Sequence, residues 1–298
     1  MRLLSYNCCG LGSKRAVRAL KSLLRRASPQ VVFLMETKQA KAENEETQKE
    51  LGFAGGDSWP TDTSRGGRAE GLCVWWKEEV ELTVMHASSH CMDLKIVGEG
   101  GEIWRFTGIY GWPGSGQKHN TWDLIRGLAR QWEGPWLCGG DFNEILSGEE
   151  KRCGQVREEN DIEAFQECLV EGDLRDLGFH GYQYTWENRR RNGGYVEERL
   201  DRFVATEEWA IRFNKCKVRH MDKTRSDHRP IICDTEGDDD DDEPRWGWSF
   251  RYDPFWSKHE DSKRVVKEAW GGGGALSAMD KISQCRAKLE LFNIPQLC

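Results

Sequence analysis

Five segments of this 298-residue chain set carboxylates, amides or an imidazole beside apolar runs. In Trp136-Leu-Cys-Gly-Gly-Asp-Phe-Asn143 a short apolar run meets two glycines, then an acid and an amide two positions apart. Gly139 and Gly140 permit close backbone approach. On an extended backbone Asp141 and Asn143 point the same way and can address one phosphate or one attacking water. The plain alternative is an Asx turn capping the segment Glu144 to Leu146. Val31–Met35 closes on Glu36, whose carboxylate suits Mg²⁺, a hard ion that takes one or two carboxylates and keeps several waters. Leu3-Leu-Ser-Tyr closes on Asn7. Read singly, Glu36 is equally an ordinary polar strand end and Asn7 a turn residue. Lys223-Thr-Arg-Ser-Asp-His-Arg-Pro230 puts His228 beside Asp227 just before the apolar run Ile231–Cys233, again with a plain turn as the alternative. Asp201 sits on the alternating run Arg199–Val204, where a surface salt bridge is the competing explanation.

Positioning these groups requires a sheet-rich scaffold. Apolar β-rich runs occur at 3–6, 31–35, 72–76, 80–85, 92–97, 103–110, 136–138, 183–186, 199–204 and 230–233. Helical periodicity marks 14–27, 121–132 and 159–169. Helices separate only some strands, which predicts an α/β (α+β) architecture of two packed mixed sheets covered by helices rather than a doubly wound parallel sheet. Neither GxxxxGK[ST] nor a strand-linked GxGxxG is present, so nucleoside-triphosphate chemistry loses support.

Hydrophobic residues make up 38% of the chain, with 14 Trp, enough to fill a sizeable core. The net charge of -7 is concentrated in the six acids Asp238–Glu243; without them 44 of the 50 acidic residues face 43 basic ones. An anionic polymer must therefore be held by local basic clusters and bound metal. The 11 cysteines are odd in number, lack CxxC spacing and lie mostly in apolar runs, which predicts reduced buried thiols, no zinc site and an intracellular, nuclear or cytoplasmic protein that is neither secreted nor membrane-inserted. A domain over 1–236, an acidic flexible linker over 237–247 and a helical tail over 248–298 without its own core are expected.

In chain order, Ser5-Tyr6-Asn7, Leu34-Met35-Glu36-Thr37, Gly108-Ile109-Tyr110, Gly140-Asp141-Phe142-Asn143, Tyr184-Thr185-Trp186, Arg199-Leu200-Asp201-Arg202 and Ser226-Asp227-His228 resemble the endonuclease/exonuclease/phosphatase family of deoxyribonuclease I-like and apurinic-endonuclease-like enzymes, over about residues 2–234. The Ile109–Pro113 and Gly181–Trp186 stretches and the tail after Arg245 look most like endonuclease domains of plant non-LTR (LINE-type) retrotransposons. The tail then reads as the truncated junction of a polyprotein lacking its reverse transcriptase.

The resemblance implies a four-layer deoxyribonuclease I-like sandwich and a Mg²⁺-dependent (Mn²⁺ possible) DNA-nicking endonuclease, acting as a monomer. It makes Glu36 the metal ligand, assisted by Asn7, with Asp227 as ligand or support. Asp141 orients or deprotonates water, Asn143 holds phosphate or water, Tyr110 donates to phosphate, and His228, oriented by Asp201, binds or protonates it. Cys9 stands where repair enzymes of the family carry an acid, which speaks against a second metal; Glu198, where an aromatic is expected, speaks against abasic-site specificity. Arg65, Arg68, Arg189, Arg190, Arg191, Lys223 and Arg225 are candidate phosphate contacts, solvated loop charge being the alternative. The rivals are a phosphomonoesterase or lipid phosphodiesterase of the same fold and a catalytically inactive retroelement relic.

Overall fold

A computed structural model of the chain describes residues 1–60, 71–98, 100–188, 194–237, 264 and 266–268. The N-terminal half runs β1 (Arg2–Asn7), α1 (Lys14–Ala27), β2 (Val31–Met35), α2 (Lys41–Glu50), β3 (Gly55–Trp59), β4 (Leu72–Trp76), β5 (Glu81–Ala87), β6 (Cys91–Val97), β7 (Ile103–Tyr110), α3 (His119–Ala129) and β8 (Trp136–Asp141). It continues through β9 (Lys151–Arg152), α4 (Glu159–Glu171), β10 (Leu174–Asp176), β11 (His180–Gly181), β12 (Trp186–Glu187), β13 (Glu197–Glu198), β14 (Asp201–Thr206), α5 (Glu207–Arg212), β15 (Lys217–His220) and β16 (Ile231–Asp234).

The strands form a seven-stranded sheet, β11-β15-β16-β1-β2-β4-β3, a six-stranded sheet, β10-β14-β8-β7-β6-β5, and a small one, β12-β13-β9. Both large sheets are mixed: β1 and β2 are parallel, as are β7 and β8, while most other pairs are antiparallel. The two sheets pack face to face through Leu3, Val31 and Phe33 on one side and Leu94, Phe106, Leu137 and Phe203 on the other. On the outer face of the six-stranded sheet Trp122 of α3 stacks on Phe165 of α4 over Trp136 and Cys138. This is the α/β sandwich the sequence predicts.

Local chemistry sets the boundaries. Ser13 caps α1 by accepting the Ala16 N–H, and Ser28 ends the helix in the left-handed region at φ 44°. Apolar periodicity misses helix α2 because its inward residues, Asn44, Thr47 and Gln48, are polar. The expected strand at 183–186 reduces to the two residues of β12.

The chain divides into two compact units, residues 1–189 with 196–243, and residues 190–195 with 244–298. Every element above lies in the first. In the second, Arg264 and 266–268 are helical; the rest of the expected linker and tail beyond Gly237 lies outside the described residues. No helix among the described residues is long and apolar enough to cross a membrane. Cys73, Cys91, Cys138, Cys168 and Cys233 are buried free thiols, whereas Cys153 is disulfide-bonded, an exception to the expectation of reduced thiols.

Candidate active site

The parallel pairing of β1 and β2 sets Asn7 opposite Met35, so Asn7 and Glu36 emerge side by side at the same strand ends. In the other sheet Tyr110 registers with Asp141, and Asp141 with Asp201. Gly140 allows this: at φ 153° an added Cβ would lie 1.9 Å from the Ile109 carbonyl oxygen of β7. The loop before β16 brings His228 in, tied to Trp186 by an isolated β-bridge. Six of the expected residues from both sheets thus converge at one edge of the sandwich.

The buried centre is a chain of polar contacts. His228 Nδ1–H donates to Asp201 Oδ2 at 2.8 Å, and its Nε2 lies 3.6 Å from Asp141 Oδ2. Asn7 Nδ2 reaches Glu36 Oε1 at 3.0 Å, Asp141 Oδ2 at 3.2 Å and His228 Nε2 at 3.4 Å. Tyr110 donates its hydroxyl to Glu36 Oε1 at 3.1 Å. Asp141 Oδ1 accepts the Asn143 N–H at 3.0 Å, with Asn143 in the left-handed region at φ 56° and its Nδ2 donating to the Gly111 carbonyl at 2.8 Å. Asn143 therefore braces Asp141 and the β7 exit.

Electrostatics distinguishes the members. Burial pushes the Asp141 carboxyl up, the neighbouring Asp201 charge adds to that, and His228 only partly opposes it. For His228, burial pushes the imidazole down, but Asp201 and Asp141 outweigh it and hold the ring cationic well above its ordinary range. Asp201 Oδ1 is buried with no hydrogen-bond partner among the described residues. Asp141, Asp201 and His228 offer ligand atoms within 4.8 Å of one another; the short Nδ1–Oδ2 bond identifies the group first as an imidazolium–carboxylate pair.

Beside this group Glu36 supplies a carboxylate of the kind a hard divalent cation takes. Its Oε2 pairs with the Lys38 ammonium at 3.0 Å. Glu36 and Lys38 are both left-handed, at φ 53° and 54°, an arrangement that non-glycine residues adopt at a cost. Asn7 meets Glu36 through its NH₂, while its Oδ1 accepts the Cys9 N–H at 3.3 Å. In this orientation Asn7 steers the carboxylate instead of offering an oxygen. Asp227 accepts from Trp186 Nε1 at 3.3 Å and from Ser226 Oγ at 3.3 Å; it is half-buried beside the site.

Three supporting residues are not among those singled out from sequence. Lys38 is one. Ser226 donates to the Asn7 carbonyl at 2.7 Å and accepts the His228 N–H at 3.1 Å, joining β1 to the His228 loop. Thr185 Oγ1 accepts both the Leu200 and Asp201 N–H groups, fixing the start of β14. Ser226 and Thr185 lie inside the family-like motifs, which is the signal that could have found them. Of the candidate phosphate contacts, Lys223 pairs with Glu187 and Arg225 is exposed; Arg65, Arg68, Arg189, Arg190 and Arg191 lie outside the described residues. Glu198 is buried and pairs with Lys151 and Arg157.

A family model described as the endonuclease/exonuclease/phosphatase family matches residues 4–228. Among solved structures, the endonuclease domain of TRAS1, a telomere-specific non-LTR retrotransposon, is 14% identical at a TM-score of 0.58, covering 78% of this chain and 96% of its own. AP endonuclease LMAP from Leishmania major is 16% identical at 0.60, covering 78% and 86%. An AP endonuclease from Archaeoglobus fulgidus is 15% identical at 0.59, covering 78% and 98%. At these identities the likeness shows the fold alone. No curated protein matches the chain.

Proposed function

The chain belongs to the endonuclease/exonuclease/phosphatase family, and on that premise we propose that it is a divalent-metal-dependent endonuclease that nicks DNA by hydrolysing phosphodiester bonds. The observation that carries this reading is the Asp141–His228–Asp201 arrangement next to Glu36. It combines a buried carboxylate of raised proton affinity, an imidazolium held by a second carboxylate, and an acid that already faces a cation.

When bound, Mg²⁺ or Mn²⁺ held by Glu36, with Asp227 beside it, supplies positive charge to the phosphate oxygens on which charge develops. The protein's own groups divide the remaining work. Asp141 accepts the proton of the attacking water through Oδ2, its orientation fixed by Asn143 and Asn7. Its raised proton affinity suits a base that works near neutral pH. His228 contributes its cationic Nε2 edge to the phosphate, and Asp201 holds the ring's other nitrogen so that this edge faces inward. Tyr110 extends a hydroxyl donor to the same region.

DNA as substrate is supported by the identities of the structural neighbours, a retrotransposon endonuclease domain and two AP endonucleases. Together with the Ile109–Pro113 motif they favour descent from a retrotransposon polyprotein. In this reading residues 1–236 form the catalytic domain, joined by the acidic 237–247 linker to the 248–298 tail, and Arg225, Arg65, Arg68 and Arg189–Arg191 grip phosphates.

Incubation of the protein with supercoiled plasmid tests the proposal, with Mg²⁺ or EDTA, beside Asp141→Ala and His228→Ala. Metal-dependent nicking lost in both variants is expected. Equal activity in all three proteins would mark a contaminant and sink the reading. Release of inorganic phosphate from monoesters without nicking would move the activity to the phosphatase branch of the family.

A further inference from the structure

We propose that the outward face of α1 is a second nucleic-acid contact, a track for the phosphate backbone of a DNA duplex that extends past the catalytic mouth; the inference rests on the nuclease reading above. Helix α1 carries Lys14, Arg15, Arg18, Lys21, Arg25 and Arg26 and no acid. At 3.6 residues per turn these six fall within a sector of roughly 140°, opposite the buried Leu20, Leu23, Leu24 and Ala27. Lys14, Arg18, Lys21 and Arg25 make a continuous ridge, and all the cations except the half-buried Lys21 are exposed. At 1.5 Å rise per residue the ridge is about 16 Å long, the axial span of four or five phosphates of one strand, which succeed one another every ~3.4 Å of duplex axis.

The arrangement works against the helix itself. Lys14–Arg18 and Lys21–Arg25 are like charges at i,i+4, and Arg15–Arg18 and Arg18–Lys21 at i,i+3, all repulsive. Lys14 and Arg15 also sit in the first turn, at the positive end of the helix dipole. Among the described residues the ion pair on this face is a long one, Arg26 to Asp222 at 3.8 Å. Arg25 and Arg26, in the last turn, are favoured by the helix dipole, but the cations before them gain nothing from it, whereas a polyanion laid along the ridge relieves every one of these repulsions.

Charge is also segregated by helix. Helix α4, packed on the six-stranded sheet, carries Glu159, Asp161, Glu163, Glu167 and Glu171 and no base. A polyanion is therefore drawn to α1 and repelled from α4. Helix α1 leads to the site. As the crossover between the parallel strands β1 and β2, α1 begins at the strand ends that carry Asn7 and Glu36, so the ridge starts at the catalytic mouth.

The test measures binding of a 30-base-pair fluorescent duplex to the full chain in EDTA, by anisotropy, across a KCl series. The variant is Lys14→Gln/Arg18→Gln/Lys21→Gln/Arg25→Gln, beside a Glu163→Gln/Glu167→Gln control on α4. With ~0.9 in log–log salt slope per phosphate neutralised, the α1 variant is expected to lose about 3 to 4 in slope and at least tenfold in affinity at low salt. Its thermal midpoint should hold or rise as the repulsions disappear, and the α4 control should keep the wild-type slope. A wild-type protein that binds with the same slope as the α1 variant overturns the track and leaves the nuclease reading standing. A wild-type protein that does not bind duplex at all overturns the DNA reading itself. A slope lost together with a lowered midpoint, or lost equally in the α4 control, also counts against the track. So does binding of phosphatidylserine vesicles, but not duplex, that depends on the same four residues.

Discussion

Asp201 and Arg202 are neighbours on β14, and each anchors a buried charged cluster built on a different rule. Around Arg202, two cations meet two carboxylates. Arg202 donates to Glu150 at 2.7 Å and Asp176 at 2.8 Å, and Arg199 to the same pair at 2.6 and 2.8 Å. Burial raises both carboxyls, yet the two arginines outweigh it and hold Glu150 and Asp176 below their ordinary range. Some nitrogens, Arg199 Nε and Arg202 Nε, go unbonded, but the charges balance. Around Asp201 one imidazole faces Asp141 and Asp201, no arginine enters among the described residues, and Asp141 is pushed up instead of down. The first cluster is electrically complete and holds the fold. The second carries more carboxylate than cationic charge, which is what the site for an anionic ester proposed above requires.

The largest expected effect lies in the incomplete cluster. Asp141→Asn keeps the shape and removes the proton acceptor, so nicking should fall by about 10²- to 10⁴-fold, with DNA affinity in EDTA unchanged. A variant keeping more than a tenth of wild-type activity would remove Asp141 from proton transfer and dissolve the contrast.

In the complete cluster the effect should fall on stability. Arg202→Met leaves the half-buried Glu150 and Asp176 with only one of their two shared arginines, a change of the kind that costs up to roughly 3–5 kcal/mol. Urea melts of wild type and variant measure it. A loss below about 1 kcal/mol would mean that Arg199 alone neutralises the pair.

Two buried histidines extend the contrast. His228, between carboxylates, is held cationic; His220 is not. Burial pushes His220 down to about 4, against the ordinary 6.5, with Arg199 and Arg229 adding to the fall. It stacks on Phe179 at 4.2 Å and bonds the Tyr182 carbonyl at 2.7 Å. A depressed folded value means the unfolded chain takes the proton first. The contribution of neutral His220 is therefore whole above pH 6.5 and lost as pH falls towards 4, about 3 kcal/mol at most. His220→Phe should flatten stability across that window relative to wild type; parallel curves would show that the ring is not the group responsible.

Legibility from sequence followed the same division. Asn7, Glu36, Asp141 and His228 could be found because each ends or precedes an apolar run, and strand ends are where a sandwich gathers its polar groups. The two mixed sheets followed from where helices failed to separate strands. Residues whose role depends on a distant partner stayed hidden. Lys223, a candidate phosphate contact, pairs with Glu187, far away in sequence. Glu198, singled out for standing where an aromatic is expected, is locked between Lys151 and Arg157. Lys38 pairs with Glu36, and both take left-handed backbone, a conformation that composition does not announce. Helix α2 hid because polar side chains fill its buried face.

The smallest effect is the sharpest test, because its sign differs between the clusters. Glu150→Gln removes a carboxylate whose charged form the fold favours, so it should destabilise by about 1–3 kcal/mol. Asp141→Asn removes one whose charged form the fold disfavours. A raised folded value means that the unfolded chain ionises first, so stability from this group falls as pH rises above the ordinary carboxylate range and stays reduced at neutral pH. The amide keeps one acceptor for the Asn143 N–H and sheds the charge that burial opposes, at the expense of the bond that Oδ2 accepts from Asn7 Nδ2 and of some attraction for His228. The net expectation at neutral pH is a gain of about 1 kcal/mol in a protein that no longer cuts, the usual relation between a strained site and its inert variant. Paired urea melts at neutral pH decide the matter. If both variants lose stability alike, Asp141 is as well satisfied as Glu150, and the distinction between a cluster that holds the fold and one that waits for substrate does not hold.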